Sequence, residues 1–191
     1  MCTDISWNTV NLNVPVNDNY YYIVRNSSKT SLHLYHKKSN RLIIVANINA
    51  DPIEISLNGN IIFYIKKPSF FDNKYILQSG TKSIIGIFKK NSNICMSKFT
   101  IPSIPINGYN SFLDKTTIND NNSIIIEKIS RIIETKLFYD FVKSNKNIRY
   151  YYEKKIIFEQ CKEINDIFNI YIESPLSIVQ GFMLGIISIL N

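Results

Sequence analysis

The stretch Glu173-Ser174-Pro175-Leu176-Ser177-Ile178-Val179-Gln180-Gly181-Phe182-Met183-Leu184-Gly185-Ile186-Ile187-Ser188-Ile189-Leu190 decides how the rest of the chain must be arranged. It reads as a helix over 175–190, with Ser174 as cap for the free N–H groups and Pro175 at the first helical position, where its missing N–H costs nothing. Its apolar residues fall on every side, and a helix without a polar face lies inside a protein or in lipid. At ~1.5 Å per residue it is about 24 Å long, short of a hydrocarbon core of roughly 30 Å. Gln180, Ser177 and Ser188 interrupt it, and no Lys or Arg flanks it closely. Gly181 and Gly185 form a small-xxx-small pair that lets another backbone come close, as a tightly enclosed helix requires. The expectation is a helix buried in protein.

What encloses it must come from the residues upstream. Strands are expected at 20–25, 31–36, 41–48, 52–57, 60–66, 74–79, 83–88 and 94–99, then at 123–127, 136–142, 147–152, 155–160 and 166–172. These runs are rich in Tyr, Ile, Val and Phe, and Asn, Ser, Gly and Lys punctuate them at intervals suited to an antiparallel meander. Asn58-Gly59 is the strongest hairpin signal, because both residues tolerate positive φ; Ser79-Gly80 and Asn91-Ser92-Asn93 are further turns. Residues 101–122, with Pro102, Pro105 and Gly108, read as a long loop, and the remainder is too short to hold a second core. Residues 124–133 fit either a strand or a helix, since Ile125, Ile129, Ile132 and Ile133 would share a helical face. About a dozen short strands tend to curl, and closure removes the exposed edges. Such a barrel is too wide for side chains alone to fill, and an apolar helix supplies the filling. The expected fold is therefore mostly β, a closed antiparallel barrel of about twelve strands around a central hydrophobic C-terminal helix.

The run from Phe158 to Phe182 also resembles the signature end of the tubby family: a strand, an acidic turn, a Phe-containing strand, then Pro-Leu-Ser-x-x-Gln-Ala-Phe opening a hydrophobic helix. Pro175, Leu176, Ser177, Gln180 and Phe182 match that pattern, with Gly181 in place of its Ala. Further matches run upstream in order: 31–46 is similar to the family's early hairpin, 63–80 to its Lys-Leu-Arg segment, 95–102 to its Arg-Lys-Met-x-x-x-x-Pro, and 142–149 to its Val-x-x-x-x-x-Lys-Asn-Phe. The resemblance implies a barrel closed around the helix and binding of phosphoinositide headgroups through the Lys and Arg of Lys-Leu-Arg. Aligned on Lys74-Tyr75, this chain has Lys67 at the Arg position and Ile65 at the Lys position, so Lys66, Lys67 and Lys74 are the candidate headgroup residues. Lys66 would join Lys67 on one face only if a bulge turned it there. A lysine also lacks the planar fork with which arginine grips phosphate. The other reading of this pair is a solvated strand end.

With 191 residues the chain is expected to be one domain: a lead-in over 1–19 that Trp7 would pin, and a barrel over 20–191. Its 45% hydrophobic and 13% aromatic content exclude a disordered chain. The start, Met1 to Asn8, has neither the basic nor the apolar run of a signal peptide, which predicts a cytoplasmic or nuclear protein. A monomer is expected, and the resemblance implies a peripheral place at membranes. Cys2, Cys95 and Cys161 form an odd set without metal-ligand spacing and read as reduced thiols, with Cys2 a weak candidate for acylation. His33 and His36 read as ordinary strand residues, so no metal and no cofactor is expected.

The formal charge of +7 favours an anionic partner. Ile, Asn, Lys and Tyr are abundant throughout, so part of this charge is general composition. Three function classes follow. The first is a non-enzymatic adaptor that docks on phosphoinositide or other anionic lipid and carries an unidentified protein partner. The second is a nucleic-acid-binding or protein-scaffold barrel, with Tyr20-Tyr21-Tyr22 and Tyr150-Tyr151-Tyr152 stacking beside Arg25 and Arg149. The third, from resemblance alone, is the scramblase-like barrel family, whose Cys-rich and calcium-binding segments have no counterpart here. No Ser-His-Asp spacing, paired-carboxylate motif or Gly-rich phosphate loop points to an enzyme.

Overall fold

In the computed structural model, residues 19–69, 72, 74–80, 82, 84–89, 98–102, 123–130 and 134–191 are described. Trp7, Cys2, Cys95, the turn at 91–93 and most of the lead-in and long loop lie outside them. The strands are β1 (Tyr20–Arg25), β2 (Ser31–His36), β3 (Leu42–Asn47), β4 (Ile53–Leu57), β5 (Asn60–Lys66), β6 (Lys74–Ser79), β7 (Ile84–Lys89), β8 (Lys98–Pro102), β9 (Ser123–Ser130), β10 (Ile148–Tyr152), β11 (Lys155–Lys162) and β12 (Ile167–Ile172). One helix follows, α1 (Ile178–Leu190).

Each strand pairs antiparallel with its neighbours in sequence, and β1 pairs with both β2 and β12, so the hydrogen-bonded order closes on itself. Local chemistry sets the register. Asn58 and Gly59 adopt φ of 50° and 82°, the left-handed pair that a two-residue hairpin between β4 and β5 needs. At the β1–β2 turn the Asn26 side-chain oxygen accepts from the backbone N–H groups of Thr30 and Ser31, at 2.8 and 3.0 Å.

Alternating inward residues, among them Tyr21, Ile23, Leu32, Leu34, Phe63 and Ile65, form the wall of the core. Inside it, every residue of α1 from Ile178 to Ile189 is buried. The helix touches β12 and β6, which stand six places apart in the ring of twelve, so it spans the interior from wall to wall. Close approach explains its glycines. A Cβ on Gly181 would come within 2.5 Å of Ile172 Cδ1, and one on Gly185 within 2.8 Å of Ile23 Cδ1.

The helix begins later than expected. Glu173 to Leu176 form a turn, closed by the Leu176 N–H donating to the Glu173 carbonyl at 3.1 Å, with a cis bond before Pro175. Ser177, not Ser174, is the cap: its hydroxyl accepts from the Gln180 N–H, and the Gln180 side chain accepts from the Ser177 N–H at 3.0 Å. This reciprocal box satisfies two donors that a start at Pro175 would have left to one serine.

Two further expectations are corrected. Residues 136–142 form no strand, because β9 pairs directly with β10 and leaves no vacant edge there. Residues 134–147 instead run as an external strap over the outer faces of β11, β12 and β1. The eighth strand covers Lys98–Pro102 where 94–99 was expected, and 94–97 lie outside the described residues. Over 123–130 the chain is strand and not helix.

Candidate anion-binding face

Antiparallel order sends β5, β7 and β11 downward to the end of the barrel where α1 terminates, and β6, β8 and β12 start there. Lysine occupies many of these strand ends: Lys66 ends β5, Lys74 starts β6, Lys89 ends β7 and Lys98 starts β8. Register makes this more than a shared end. Lys74 lies directly across from Lys89, and Lys89 directly across from Lys98. Cross-strand partners share one face, and directly opposed like charges destabilise a sheet. Tyr75, the next residue inward along β6, is buried, so Lys74 belongs to the outer face.

The sequence-expected site is divided by this arrangement. Lys66 is exposed and pairs in register with Ile76, placing it diagonally from Lys74 on the outer face. Lys67 follows the inward parity of Phe63 and Ile65, and its ammonium donates to the carbonyls of Ile48 and Ala50 at 3.3 and 3.1 Å. It ties the β3–β4 turn to the end of β5. The bulge that would have brought Lys66 to the face of Lys67 is absent there; the irregularity between β4 and β5 lies near Ile61. Lys74 sits 3.4 Å from Asp72, with both side chains well exposed. Glu127 pairs in register with Lys98. The backbone register thus brings three lysine positions together on adjacent strands, with Lys66 diagonal to the first of them. Lys89 and Lys98 were missed in the sequence because their alignment depends on a register shift between Leu77 and Gln78 that spacing does not disclose.

The neighbouring wall, on β10 and β11, carries a different polar cluster. Glu159 is fully buried beneath the strap and receives hydrogen bonds from Arg149 Nε and from the Thr135 hydroxyl. Arg149 also donates to the Tyr151 hydroxyl at 3.2 Å and the Glu134 carbonyl at 3.3 Å. All of its reach is used within the protein. Cys161 lies 3.8 Å from Glu159, and burial, together with that carboxylate, pushes its thiol up to about 12, which makes it inert.

No model of a known protein family matches the chain, and none of the curated proteins matches it.

Its residues alone therefore carry the reading. In the tyrosine triplets Tyr21 and Tyr150 are buried in the core, and Tyr22 stacks on Tyr35 with centroids 5.0 Å apart and planes at 7°. Lys37 spans the Tyr22 ring and Asn169, with Glu163 at 3.9 Å. His33 and His36 bond to Ser31 and Ser39, each at 2.9 Å. No helix of the described residues is long and apolar enough to cross a membrane.

Proposed function

We propose that this chain is a non-enzymatic module, with a tubby-like barrel as its scaffold, that docks on anionic membranes through phosphoinositide headgroups and serves as a peripheral adaptor at the cytoplasmic side. The observation that carries the proposal is the register of Lys74, Lys89 and Lys98 on three adjacent strands, with Lys66 at their flank. Such a row is unfavourable in the free protein and is relieved by an anion. The buried helix entered through Pro-Leu-Ser-Ile-Val-Gln supports the scaffold. Because Lys67 is engaged by two backbone carbonyls, ligand contact moves from the pair on β5 to the row that crosses β6, β7 and β8. The nucleic-acid reading gains nothing, since Arg149 is consumed by Glu159.

Each lysine near an anionic leaflet contributes about 1 kcal/mol, weakened by salt. Replacing Lys74, Lys89 and Lys98 together by Gln should therefore weaken binding to phosphoinositide-containing vesicles roughly a hundredfold. Co-sedimentation measures this. Equal binding to vesicles with and without phosphoinositide, or binding unchanged in the triple variant, overturns the proposal.

A further inference from the structure

The end of the barrel where α1 terminates has a mouth, and cations line one side of it. Along β1, Tyr21 and Ile23 point inward and are buried; Arg25, the last residue, continues that parity. Along β11, Phe158 and Gln160 are buried and Lys162 continues them, its ammonium 5.9 Å from the ring of the inward Phe168. Lys146 lies in the turn before β10, which the Asn147 N–H closes by donating to the Ser144 carbonyl at 3.2 Å, and the Lys162 N–H donates to Asn147 Oδ1 at 2.9 Å, which brings the turn beside Lys162. The last turn of the helix fixes the backbone there: Gln160 Nε2 donates to the Lys146 carbonyl and to Ser188 Oγ, both at 3.0 Å, and Ser188 Oγ donates to the same carbonyl at 3.3 Å.

These three cations are close enough to act on one another. Burial first, then repulsion from Arg25 and Lys162, holds the Lys146 ammonium below its usual range. The carboxylate at hand is Asp166, 3.5 Å from Lys162, and Arg25 N–H bonds to the Asp166 carbonyl at 3.0 Å. Glu163 is held by Asn169 on the outer face. The helix C-terminus adds only about half a negative charge. Among the described residues Arg25 Nε is buried without a hydrogen-bond acceptor, which for a guanidinium N–H is costly, and Gln160 Oε1 is buried without a donor. Three cations, one nearby carboxylate among the described residues and an orphaned guanidinium donor make this end suited to an oxyanion.

We propose that this mouth is a second oxyanion site, separate from the lysine row on β6 to β8, in which Arg25, Lys146 and Lys162 take a phosphate group. Arginine supplies directed N–H donors and the two lysines supply charge, the combination suited to a phosphate ester. The site lies on β1, β10 and β11, with β9 between it and the outer row, and on the inward parity of the strands where Lys74 is on the outward one.

Titration calorimetry of the full chain with inorganic pyrophosphate tests this, beside co-sedimentation with phosphoinositide-containing vesicles. Arg25→Gln and Lys146→Gln should each weaken pyrophosphate binding about tenfold or more, the loss of one charge-assisted bond, while Lys38→Gln, at an exposed turn outside both sites, leaves it unchanged. Thermal unfolding shows whether each variant is folded, and the wild type and Lys38→Gln should gain the full upward shift with pyrophosphate that the other two lose. Vesicle binding that falls with Arg25→Gln identifies a lipid headgroup as the phosphate source; vesicle binding that stays while pyrophosphate binding falls identifies a soluble phosphate. No pyrophosphate binding by wild type, equal binding by wild type and Arg25→Gln, or an equal loss in Lys38→Gln overturns the proposal. The Lys74, Lys89 and Lys98 variant reports on the outer row independently, so the two sites fail separately.

Discussion

Arg149→Met lowers the stability of the folded chain by about 3–5 kcal/mol, measured by chemical denaturation. Glu159 has no exposed surface, and Arg149 is the cation that compensates it. Removing that cation leaves a buried carboxylate with the Thr135 hydroxyl as its main remaining donor. Folded domains have only about 5–15 kcal/mol to lose, so the variant should be close to unfolding at ordinary temperature. The double variant Arg149→Met, Glu159→Leu should recover most of the loss, because it removes the stranded charge together with its partner. Failure of the second substitution to restore stability would show that the arginine acts by packing and not by pairing.

Phe182→Ala is the second large effect, at about 3–5 kcal/mol for a fully enclosed aromatic ring. The side chain cannot be replaced by collapse of the surroundings, since strands surround the helix and are fixed by their own ladders. A loss below about 1 kcal/mol would mean that this residue faces solvent or a soft interface, against its enclosure in the barrel.

Sequence spacing revealed the strands well where turn chemistry is explicit. β1, β2, β5 and β6 begin and end where alternating apolar runs and Asn, Ser or Gly turns place them. The helix was legible from its lack of a polar face, but its first turn was not. Ser174-Pro175 looks like a start in isolation, and only the reciprocal bonds of Ser177 and Gln180 show that the chain turns first. The strap at 134–147 was misread for a related reason: its Leu137, Phe138, Phe141 and Val142 are as apolar as a strand, yet the first three are partly or fully buried outside one and Val142 is exposed. Phe138 meets Tyr20 edge-on at 6.3 Å, and Tyr20 meets Tyr171 at 5.3 Å. β11 is correspondingly buried on both faces from Ile157 to Cys161, which erases the alternation a half-exposed strand would show.

The candidate site was legible only in part, because a basic strip across strands depends on register. Lys66, Lys67 and Lys74 are near one another in sequence and do reach the same end of the barrel, but alternation sends Lys67 inward to carbonyls while Lys66 stays out. Lys89 and Lys98 come from residues that show no special pattern, and the register of β6, β7 and β8 gives them their place beside Lys74. Arg25, Lys146 and Lys162 are likewise scattered in sequence and share the end of the barrel at which β1 and β11 end and β10 begins.

The central physical claim is that α1 is enclosed by the strands and cannot open without them. Native-state hydrogen exchange of the amides from Phe182 to Ile187 measures that directly. They should exchange in the slowest class, with the same denaturant dependence as global unfolding and as the core amides of β11 and β12. Exchange of these helix amides through a smaller, local opening while the strands stay protected would contradict it.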